Sequence, residues 1–469
     1  AGVVVTASHN PPHDNGYKIY FEDGGQVVSP HAEGIMQSFE DFDLNKLCQP
    51  LVDTAAPKKV DETVEQLYLQ AVENVVLDPD LIKTHKPRIV YTPIHGTGQV
   101  MSIIALEALG VQPILVEAQL PMDPRFPTVK SPNPENAEAL TLGLELAKRC
   151  DAQAVLATDP DGDRMGAAVR KADGSFQIIS GNTIGAALLA HRIEQLKALG
   201  WLPKEGSEHA VLVKTFVTSP FQDAIAHSEG LRVVNTLTGF KYIGEKLHRY
   251  ELALHEKLQA QGRSADSFKD AQSHAQAMIE LSNFFVFGGE ESYGYLASDA
   301  VRDKDANMAV VLFTQLLSHL EAIRQTFDQY LDALYLRHGY YVEGVLNISY
   351  EGASGAAKIK RILDSYRNNP PSVMADRKVC KVQDFGREDI LDSDGQLVPK
   401  QDFYRVELDG GYSYAVRGSG TEPKIKFYLF AHEAVKNTEG LEAAKAQARL
   451  ELDKLKAQLD TDARRRAGE

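Results

Sequence analysis

Three aspartates alternate with a proline and a glycine in one short segment, Asp159-Pro160-Asp161-Gly162-Asp163-Arg164. Carboxylates this close together repel one another unless a positive charge lies between them. Mg²⁺ prefers oxygen ligands and commonly also binds a phosphate oxygen. A calcium-binding helix-loop-helix is excluded, because Arg164 and Arg170 stand where that loop needs glycine and glutamate. The segment therefore predicts a Mg²⁺ site that also contacts a phosphate, with Asp159, Asp161 and Asp163 as ligands.

A hydroxyl nucleophile is the second chemical candidate. Ser8 lies in Thr6-Ala7-Ser8-His9-Asn10-Pro11, just after an apolar run over 3–5 that predicts a strand. A loop that follows a strand is open to ligands. Serine needs a neighbouring base or a metal ion to act, and both His9 and Lys18 are near in sequence. Without the aspartate loop, Ser8 would be an ordinary turn serine.

Two more polar loops follow apolar runs. The first is Gly289-Glu290-Glu291-Ser292-Tyr293-Gly294, after the apolar residues 284–287. The second, Arg417-Gly418-Ser419-Gly420-Thr421-Glu422-Pro423, lies between two predicted strands. Its guanidinium, hydroxyls and backbone N–H groups could form a cradle for a phosphate. The alternative for this second loop is a plain hairpin turn.

These four loops, in this order, resemble those of the α-D-phosphohexomutases, the family of phosphoglucomutase and phosphomannomutase. They span residues 6–423. The segments Thr238-Gly239-Phe240-Lys241 and Arg302-Asp303-Lys304-Asp305 are most similar to bacterial phosphoglucomutases of the phosphopentomutase-like branch.

The resemblance implies a role for each matching residue. Ser8 would carry the transferred phosphoryl group and contact the metal ion, with Lys18 beside it as a general acid or base. His9 is predicted to be catalytic from its position next to Ser8 in the sequence, apart from the resemblance. The implied substrate-binding residues are Arg164, Thr238, Gly239, Glu290, Ser292, Lys304, Arg417, Ser419, Gly420 and Thr421. Some phosphomannomutases have a histidine where this chain has Tyr293-Gly294, so the second acid or base group is not identified.

The implied activity is that of an isomerase. It would interconvert hexose 1-phosphate and hexose 6-phosphate through a phosphoserine and a bisphosphate, with glucose phosphates favoured. Mg²⁺ would be the cofactor, glucose 1,6-bisphosphate the activator and intermediate, and small sugar phosphates the partners. Mannose or pentose phosphates remain alternative substrates. A sugar-phosphate phosphatase and an inactive sugar-phosphate-binding fragment are the alternatives from other classes.

Composition sets further bounds on the function. With 469 residues, 43% of them hydrophobic, the chain can form three or four domains with separate cores. A net charge of −15 argues against nucleic acid as a partner. Cys48, Cys150 and Cys380 are widely spaced, which favours the reducing cytoplasm. No apolar stretch approaches the length of a membrane span. The oligomeric state is left open.

Alternating strands and helices predict an α/β architecture. Predicted strands include 88–91, 154–158, 210–213 and 231–234, and predicted helices include 101–106, 137–150 and 221–227. The resemblance implies three related mixed-sheet α/β/α domains, the first incomplete, and a C-terminal α+β lid domain. The expected ranges are 1–82 for the phosphoserine domain, 83–178 for the metal-binding domain, 179–335 for the sugar-binding domain and 336–469 for the phosphate-binding lid.

Three segments carry expectations of their own. Because the family has further residues before the serine loop, we expect an N-terminally truncated chain in which the strand over 2–5 lacks its sheet neighbours. The polar stretch from Tyr250 to Ser282 predicts a surface helix or a partly mobile insertion, and 451–466 predicts a charged terminal helix. His95, before Gly96-Thr97-Gly98, is interpreted as part of a structural turn, since Met101 stands where a dinucleotide fingerprint needs glycine.

Overall fold

The computed structural model describes residues 1–43, 59–265, 268–350, 352–418 and 424–469. Four sheets with flanking helices follow one another along the chain. Parallel and antiparallel strands mix in the second and third sheets, and the fourth sheet is antiparallel. The predicted α/β class with a C-terminal α+β unit is therefore confirmed.

The first sheet has two antiparallel strands, β1 (Gly2–Val5) and β2 (Tyr17–Tyr20), and helix α1 (His31–Glu40) follows. The expectation that residues 2–5 lack sheet neighbours is wrong on the side that faces β2. The chain reverses between the strands, and the Thr6 N–H donates to the Gly16 carbonyl at 3.1 Å. Glycine is required at position 16, because a Cβ there would lie 1.9 Å from the Thr6 oxygen.

The second sheet has the strand order β4-β3-β5-β6-β7. Its strands are β3 (Ile89–Thr92), β4 (Ile114–Leu115), β5 (Ala154–Thr158), β6 (Met165–Arg170) and β7 (Phe176–Ile179). Its helices are α2 (Glu62–Glu73), α3 (Pro79–Thr84), α4 (Gly98–Ala108) and α5 (Thr141–Arg149). The helix predicted from residue 137 begins only at Thr141. The N–H groups of Asn136 and Ala139 donate to the carbonyls of Asn133 and Asn136, three residues earlier, so tighter turns precede the helix.

The third sheet has the order β11-β10-β8-β9. Its strands are β8 (Ser207–Thr215), β9 (Leu231–Thr236), β10 (Phe284–Gly289) and β11 (Tyr295–Leu296). Its helices are α6 (Gly181–Ala198), α7 (Pro220–Ser228), α8 (Phe240–Ala260), α9 (Ala271–Leu281), α10 (Ala306–Ala322) and α11 (Phe327–His338). Helix α10 also packs against α2, α3 and α4, so it joins the second and third units.

The stretch from Tyr250 to Ser282 is largely helical, in line with the predicted surface helix, but one face of each helix is buried. It holds the end of α8 and all of α9, which packs against β8 and β10. Tyr250, Leu254 and Met278 are buried in the core. These apolar residues are separated by polar ones along two amphipathic helices, so the sequence did not indicate that they form a buried face.

The fourth sheet has the order β12-β17-β16-β15-β14-β13. Its strands are β12 (Tyr340–Ser349), β13 (Val373–Met374), β14 (Arg377–Asp384), β15 (Phe403–Leu408), β16 (Tyr412–Gly418) and β17 (Lys424–Glu433). Helix α12 (Gly352–Asn368) and helix α13 (Thr438–Ala467) accompany it. Helix α13 starts earlier than predicted, where the Asn437 side chain accepts a hydrogen bond from the Gly440 N–H.

A buried ion-pair cluster joins the fourth unit to helix α8. Lys246 Nζ lies 2.5 Å from an Asp392 oxygen and 3.0 Å from an Asp394 oxygen. Arg232 lies 2.7 Å from the other Asp394 oxygen, and the Tyr250 hydroxyl donates to Asp394 at 2.7 Å. These contacts hold the loop between β14 and β15 against the third unit.

Among the described residues, no single helix is both long and apolar enough to cross a membrane. Helices α10 and α11 pass that test only as a pair, and a bend of 90° separates them.

Candidate active site

The aspartate loop begins where the buried strand β5 ends. Asp159 Oδ1 accepts hydrogen bonds from the backbone N–H groups of Asp163 and Arg164, each at 3.0 Å. Gly162 has a φ of +72°, a conformation that glycine adopts without strain. These contacts curl the loop around Asp159, so that all three aspartates lie on one side of it.

A second loop supports the aspartate loop from behind. The Thr97 N–H and hydroxyl both donate to the Pro160 carbonyl, at 2.9 and 3.0 Å. Gly96 packs so closely that a Cβ there would lie 2.3 Å from Pro160 Cα. His95 is held by the Pro121 carbonyl and the Thr128 hydroxyl, at 3.0 and 2.8 Å from its ring nitrogens. The interpretation of His95 as a structural turn residue agrees with these contacts.

The three carboxylates can each offer an oxygen within 4.8 Å of the other two. In the described part of the chain, Asp161 Oδ1 and Asp163 Oδ1 are buried without a hydrogen-bond partner. Burial, together with the charges of Asp163 and Asp161, raises the pKa of Asp159 well above its ordinary value. Unpaired buried carboxylate oxygens this close together fit a hard divalent cation, which prefers oxygen ligands.

Ser8 lies against this cluster. Its hydroxyl donates to Asp159 Oδ2 at 2.7 Å, and its oxygen is 3.2 Å from His9 Nδ1. The backbone at Ser8 has a φ of +53°, which is uncommon for a residue other than glycine. The Thr6 hydroxyl accepts from the Ser8 N–H at 2.9 Å and donates to Asp161 at 3.2 Å. The two sequence motifs therefore meet in one place.

Two lysines neutralise the carboxylates. Lys18 Nζ lies 3.2 Å from Asp161 and 3.0 Å from Asp163, and Lys304 Nζ lies 3.0 Å from Asp163. Burial alone would lower the pKa of both lysines, but the neighbouring aspartates outweigh it and raise the pKa of each. Burial alone would also raise the pKa of Asp163, but Lys304 and Lys18 lower it. All three groups are therefore charged at neutral pH.

His9 differs from the lysines in its charge. Burial lowers the pKa of His9 to about 4, and the nearby Arg164 guanidinium adds to the effect. At neutral pH the imidazole is therefore uncharged, with one donor and one acceptor nitrogen. A neutral ring beside the Ser8 oxygen can exchange a proton with it.

The Glu290 loop and the Thr238 loop contact each other and line the same cleft as His9 and Lys304. The Gly239 N–H donates to Glu290 Oε1 at 2.9 Å, and Gly239 has a φ of +116°. The Thr238 hydroxyl is buried and has no partner among the described residues. Burial and the adjacent Glu290 raise the pKa of Glu291 to about 7. The wall thus offers carboxylates and a hydroxyl to a polar ligand.

One cleft of about 1360 Å³ connects these parts. Its lining draws on all four units and includes His9, Arg164, Thr238, Gly239, Glu290, Ser292, Lys304 and Arg417. The structure thus brings together these residues with Ser8, Lys18 and the three aspartates. Ser419, Gly420 and Thr421 lie outside the described residues.

Several contributors were not identified from the sequence. Thr6 ties the serine loop to Asp161, and Glu135 lies 3.5 Å from the Arg164 guanidinium. The Tyr20 hydroxyl donates to Asp303 at 2.8 Å and so orients the loop that carries Lys304. Only Thr6, two residues before Ser8, carried a sequence signal, because threonine there can bond the backbone of its own loop.

Models of the phosphoglucomutase/phosphomannomutase α/β/α domains match three parts of the chain. Domain I matches residues 1–46, domain II residues 66–174, and domain III residues 180–255 and 272–337. The gap in domain III, residues 256–271, covers the last turn of α8, the connection to α9 and the first residue of α9.

Curated and solved relatives give the same result. A phosphoglucomutase of Staphylococcus aureus (strain MRSA252) is 31% identical over 438 residues, which are 92% of this chain and 72% of that protein. The open form of the Paramecium phosphoglucomutase pp63/parafusin covers 100% of this chain and 78% of its own, with a TM-score of 0.62 and 19% identity. A phosphoglucomutase/phosphomannomutase family protein of Burkholderia thailandensis covers 96% of this chain and 75% of its own, with a TM-score of 0.53 and 17% identity.

Proposed function

The chain belongs to the phosphoglucomutase/phosphomannomutase family, and on that premise we propose that it interconverts hexose 1-phosphate and hexose 6-phosphate, with glucose phosphates as the preferred substrates. The observation that carries the proposal is the contact between the Ser8 hydroxyl and Asp159 at 2.7 Å. This contact supports Ser8 as the nucleophile, because its hydroxyl lies beside a carboxylate cluster that suits a metal ion. The negative charge of a phosphoserine formed there would be offset by a metal ion at the aspartates and by the nearby Lys18 and Lys304.

Charge balance supports a phosphate at this point. The carboxylates of Asp159, Asp161 and Asp163 are matched by three cations, Lys18, Lys304 and Arg164. A phosphoserine carries a charge of about −1.5 to −2 at neutral pH. Mg²⁺ held by the three aspartates would offset that charge and stabilise the phosphoryl group as it transfers.

The proposed first step moves the phosphoryl group from Ser8 to the 6-hydroxyl of glucose 1-phosphate. The bond between Ser8 Oγ and phosphorus breaks, and a bond between the sugar O6 and phosphorus forms. The sugar hydroxyl loses a proton and the serine oxygen gains one. Neutral His9, with Nδ1 3.2 Å from Ser8 Oγ, is placed to exchange that proton, while protonated Lys18 would support the charge of the phosphoryl group.

The second step needs the resulting glucose 1,6-bisphosphate to turn around in the cleft. Its C1 phosphoryl group then returns to Ser8, which leaves glucose 6-phosphate. A distal site that recognises only a phosphate would accept either end of the bisphosphate. We assign Arg417 to that site, with Ser419, Gly420 and Thr421 beyond the described residues. The cleft, at about 1360 Å³, offers room for this rotation.

Sugar identity would be recognised on the Glu290 wall. Carboxylate and hydroxyl groups fix a sugar by accepting and donating hydrogen bonds to its hydroxyls. Glu290 and Ser292 line the cleft, and the Gly239 N–H fixes the Glu290 carboxylate at 2.9 Å. We propose that these residues favour glucose phosphates and that Thr238 contacts the sugar through its unpartnered hydroxyl.

We infer four domains over 1–82, 83–178, 179–335 and 336–469, since each range holds most of one sheet. Strand β7 ends one residue past the second range, and α11 crosses the third boundary. We also propose a cytoplasmic location, because Cys150 and Cys380 are both free thiols, as a reducing compartment would keep them.

The proposal is tested with the purified protein, glucose 1-phosphate, Mg²⁺ and a catalytic amount of glucose 1,6-bisphosphate. We expect glucose 6-phosphate to form and intact-mass measurement to find one phosphate, mapped to the peptide with Ser8. Ser8→Ala should lose both the phosphate and the turnover, whereas Ser175→Ala, at an exposed turn, should keep both. Full turnover in Ser8→Ala, or release of inorganic phosphate as fast as isomer, would contradict the proposal.

A further inference from the structure

A second group of metal-ligating side chains lies away from the cleft. His191 and Glu194 are on helix α6, and His319 is on helix α10, which packs against α6. Each can offer one ligand atom within 4.8 Å of the other two. Because His191 and Glu194 are three residues apart in a helix, they share one face.

His191 is the residue that needs an explanation. Its side chain has no solvent exposure, and neither ring nitrogen has a hydrogen-bond partner in the described part of the chain. A neutral imidazole has one donor and one acceptor, and leaving such groups buried and unpaired destabilises the folded protein. The ring faces His319 with centroids 5.1 Å apart. Something must satisfy at least one of these nitrogens.

A neighbouring residue has the same deficiency. Gln315 lies one turn before His319 on α10, and residues four apart in a helix share a face. Its side chain is fully buried, and neither its amide oxygen nor its amide nitrogen has a partner among the described residues. A polar site between the two helices therefore extends beyond the three ligand candidates.

We propose that His191, Glu194 and His319 form a structural site for Zn²⁺ or a similar transition-metal ion. Two imidazoles and one carboxylate form a donor set that such ions use, whereas Mg²⁺ prefers an all-oxygen set. Ligand atoms at about 2.0–2.1 Å from a tetrahedral Zn²⁺ lie about 3.3 Å apart. The candidate ligand atoms already lie within 4.8 Å of one another, and because Glu194 is exposed and His319 half-buried, both side chains have room to adjust to that spacing.

The site is separate from the phosphoryl-transfer chemistry. It lies ten residues along α6 from Gly181, which lines the cleft, or about 15 Å at 1.5 Å per residue. His319 is thirteen residues along α10 from Ala306, whose N–H donates to the Gly162 carbonyl at 3.0 Å. The ion would therefore act by joining two helices that begin at the active-site loops.

Zinc titration of the full-length protein tests the site, after chelator treatment and with saturating Mg²⁺ to occupy the aspartate loop. We expect one equivalent of Zn²⁺ to bind, and the midpoint of thermal unfolding to rise by about 2 °C or more. Co²⁺ should bind in its place and give the visible absorption of a tetrahedral nitrogen and oxygen site. Mg²⁺ alone should give neither the absorption nor the rise.

Variants identify the ligands. His319→Ala and Glu194→Gln should each weaken Zn²⁺ binding about 10- to 100-fold and remove the thermal shift. His227→Ala changes an exposed histidine on α7 and should leave both unchanged. Asp161→Asn should retain the Co²⁺ absorption, because that site lies elsewhere. The proposal is wrong if the wild-type protein binds no Zn²⁺ under these conditions, or if His319→Ala binds it as tightly as wild type; buried water would then satisfy His191.

Discussion

Lys18 Nζ lies 3.2 Å from Asp161 Oδ2, although 143 residues separate the two in the sequence. The same nitrogen lies 3.0 Å from Asp163. The strand that follows the serine loop is thereby tied to the aspartate loop by charge. Any change at Asp161 must alter both the proposed metal site and the docking of the first unit.

Asp161→Asn should lower turnover on the order of a hundredfold or more and raise the Mg²⁺ concentration needed for half-maximal rate. The substitution removes one of three carboxylate charges, and the loss of a transition-state electrostatic contact typically costs this much. Rates measured against Mg²⁺ concentration decide the matter. Asp173→Asn, at an exposed turn, is the control and should behave as wild type. An unchanged Mg²⁺ dependence in Asp161→Asn would mean that the loop is structural.

Sequence alone located strands that are buried on both faces. Residues 154–158 form β5 as predicted, because an uninterrupted apolar run between polar loops has few other ways to fold. The sequence also predicted a carboxylate cluster after that strand, and oxygens of Asp159, Asp161 and Asp163 do lie within 4.8 Å of one another.

Contacts between distant segments were not readable from the sequence. The pairing of β1 with β2 depends on Gly16, whose missing Cβ allows the approach to Thr6. The buried faces of α8 and α9 depend on packing against β8 and β10. The Tyr20 contact to Asp303 spans 283 residues. Local residue patterns carry no information about such partners, so these features required the structure.

Glu291 should make stability depend on pH. Burial and Glu290 raise the pKa of Glu291 from 4.5 to about 7 in the folded state. The folded protein therefore binds this proton more tightly than the unfolded chain does. The associated stability is fully present below about pH 4.5 and is lost as the pH rises through about 7. Glu291→Gln cannot ionise, so we expect it to gain stability relative to wild type across this window.

Urea unfolding at pH 5, 6, 7 and 8 measures this effect. The difference in the free energy of unfolding between Glu291→Gln and wild type should grow with pH and level off above about pH 7. Glu107→Gln, an exposed position on α4, should show no such trend. A difference that is constant with pH would show that Glu291 has an ordinary pKa.

Lys246→Met should destabilise the protein by about 3–5 kcal/mol, because it removes the cation paired with the buried Asp392 carboxylate, whereas Asp394 keeps Arg232. Thermal or urea unfolding measures the loss, and the C-terminal unit should unfold first. Lys257→Met, an exposed position on the same helix, controls for the change of side chain. Equal stability of the two variants would show that the cluster contributes nothing net.

Arg417→Ala should raise KM and also lower kcat, because a distal phosphate site both binds the substrate and holds its reacting end in line. Arg417 lies at the end of β16 and lines the cleft. Losing a charged hydrogen bond worth about 1.5–3 kcal/mol predicts a fall in kcat/KM of about 10- to 100-fold. Arg417→Lys should recover only part of the lost kcat/KM, since lysine lacks the forked guanidinium.

Arg125→Ala, at a side chain that is 83% exposed, is the control and should leave both constants unchanged. If Arg417→Ala alters neither constant with glucose 1-phosphate, the distal phosphate site does not include this residue.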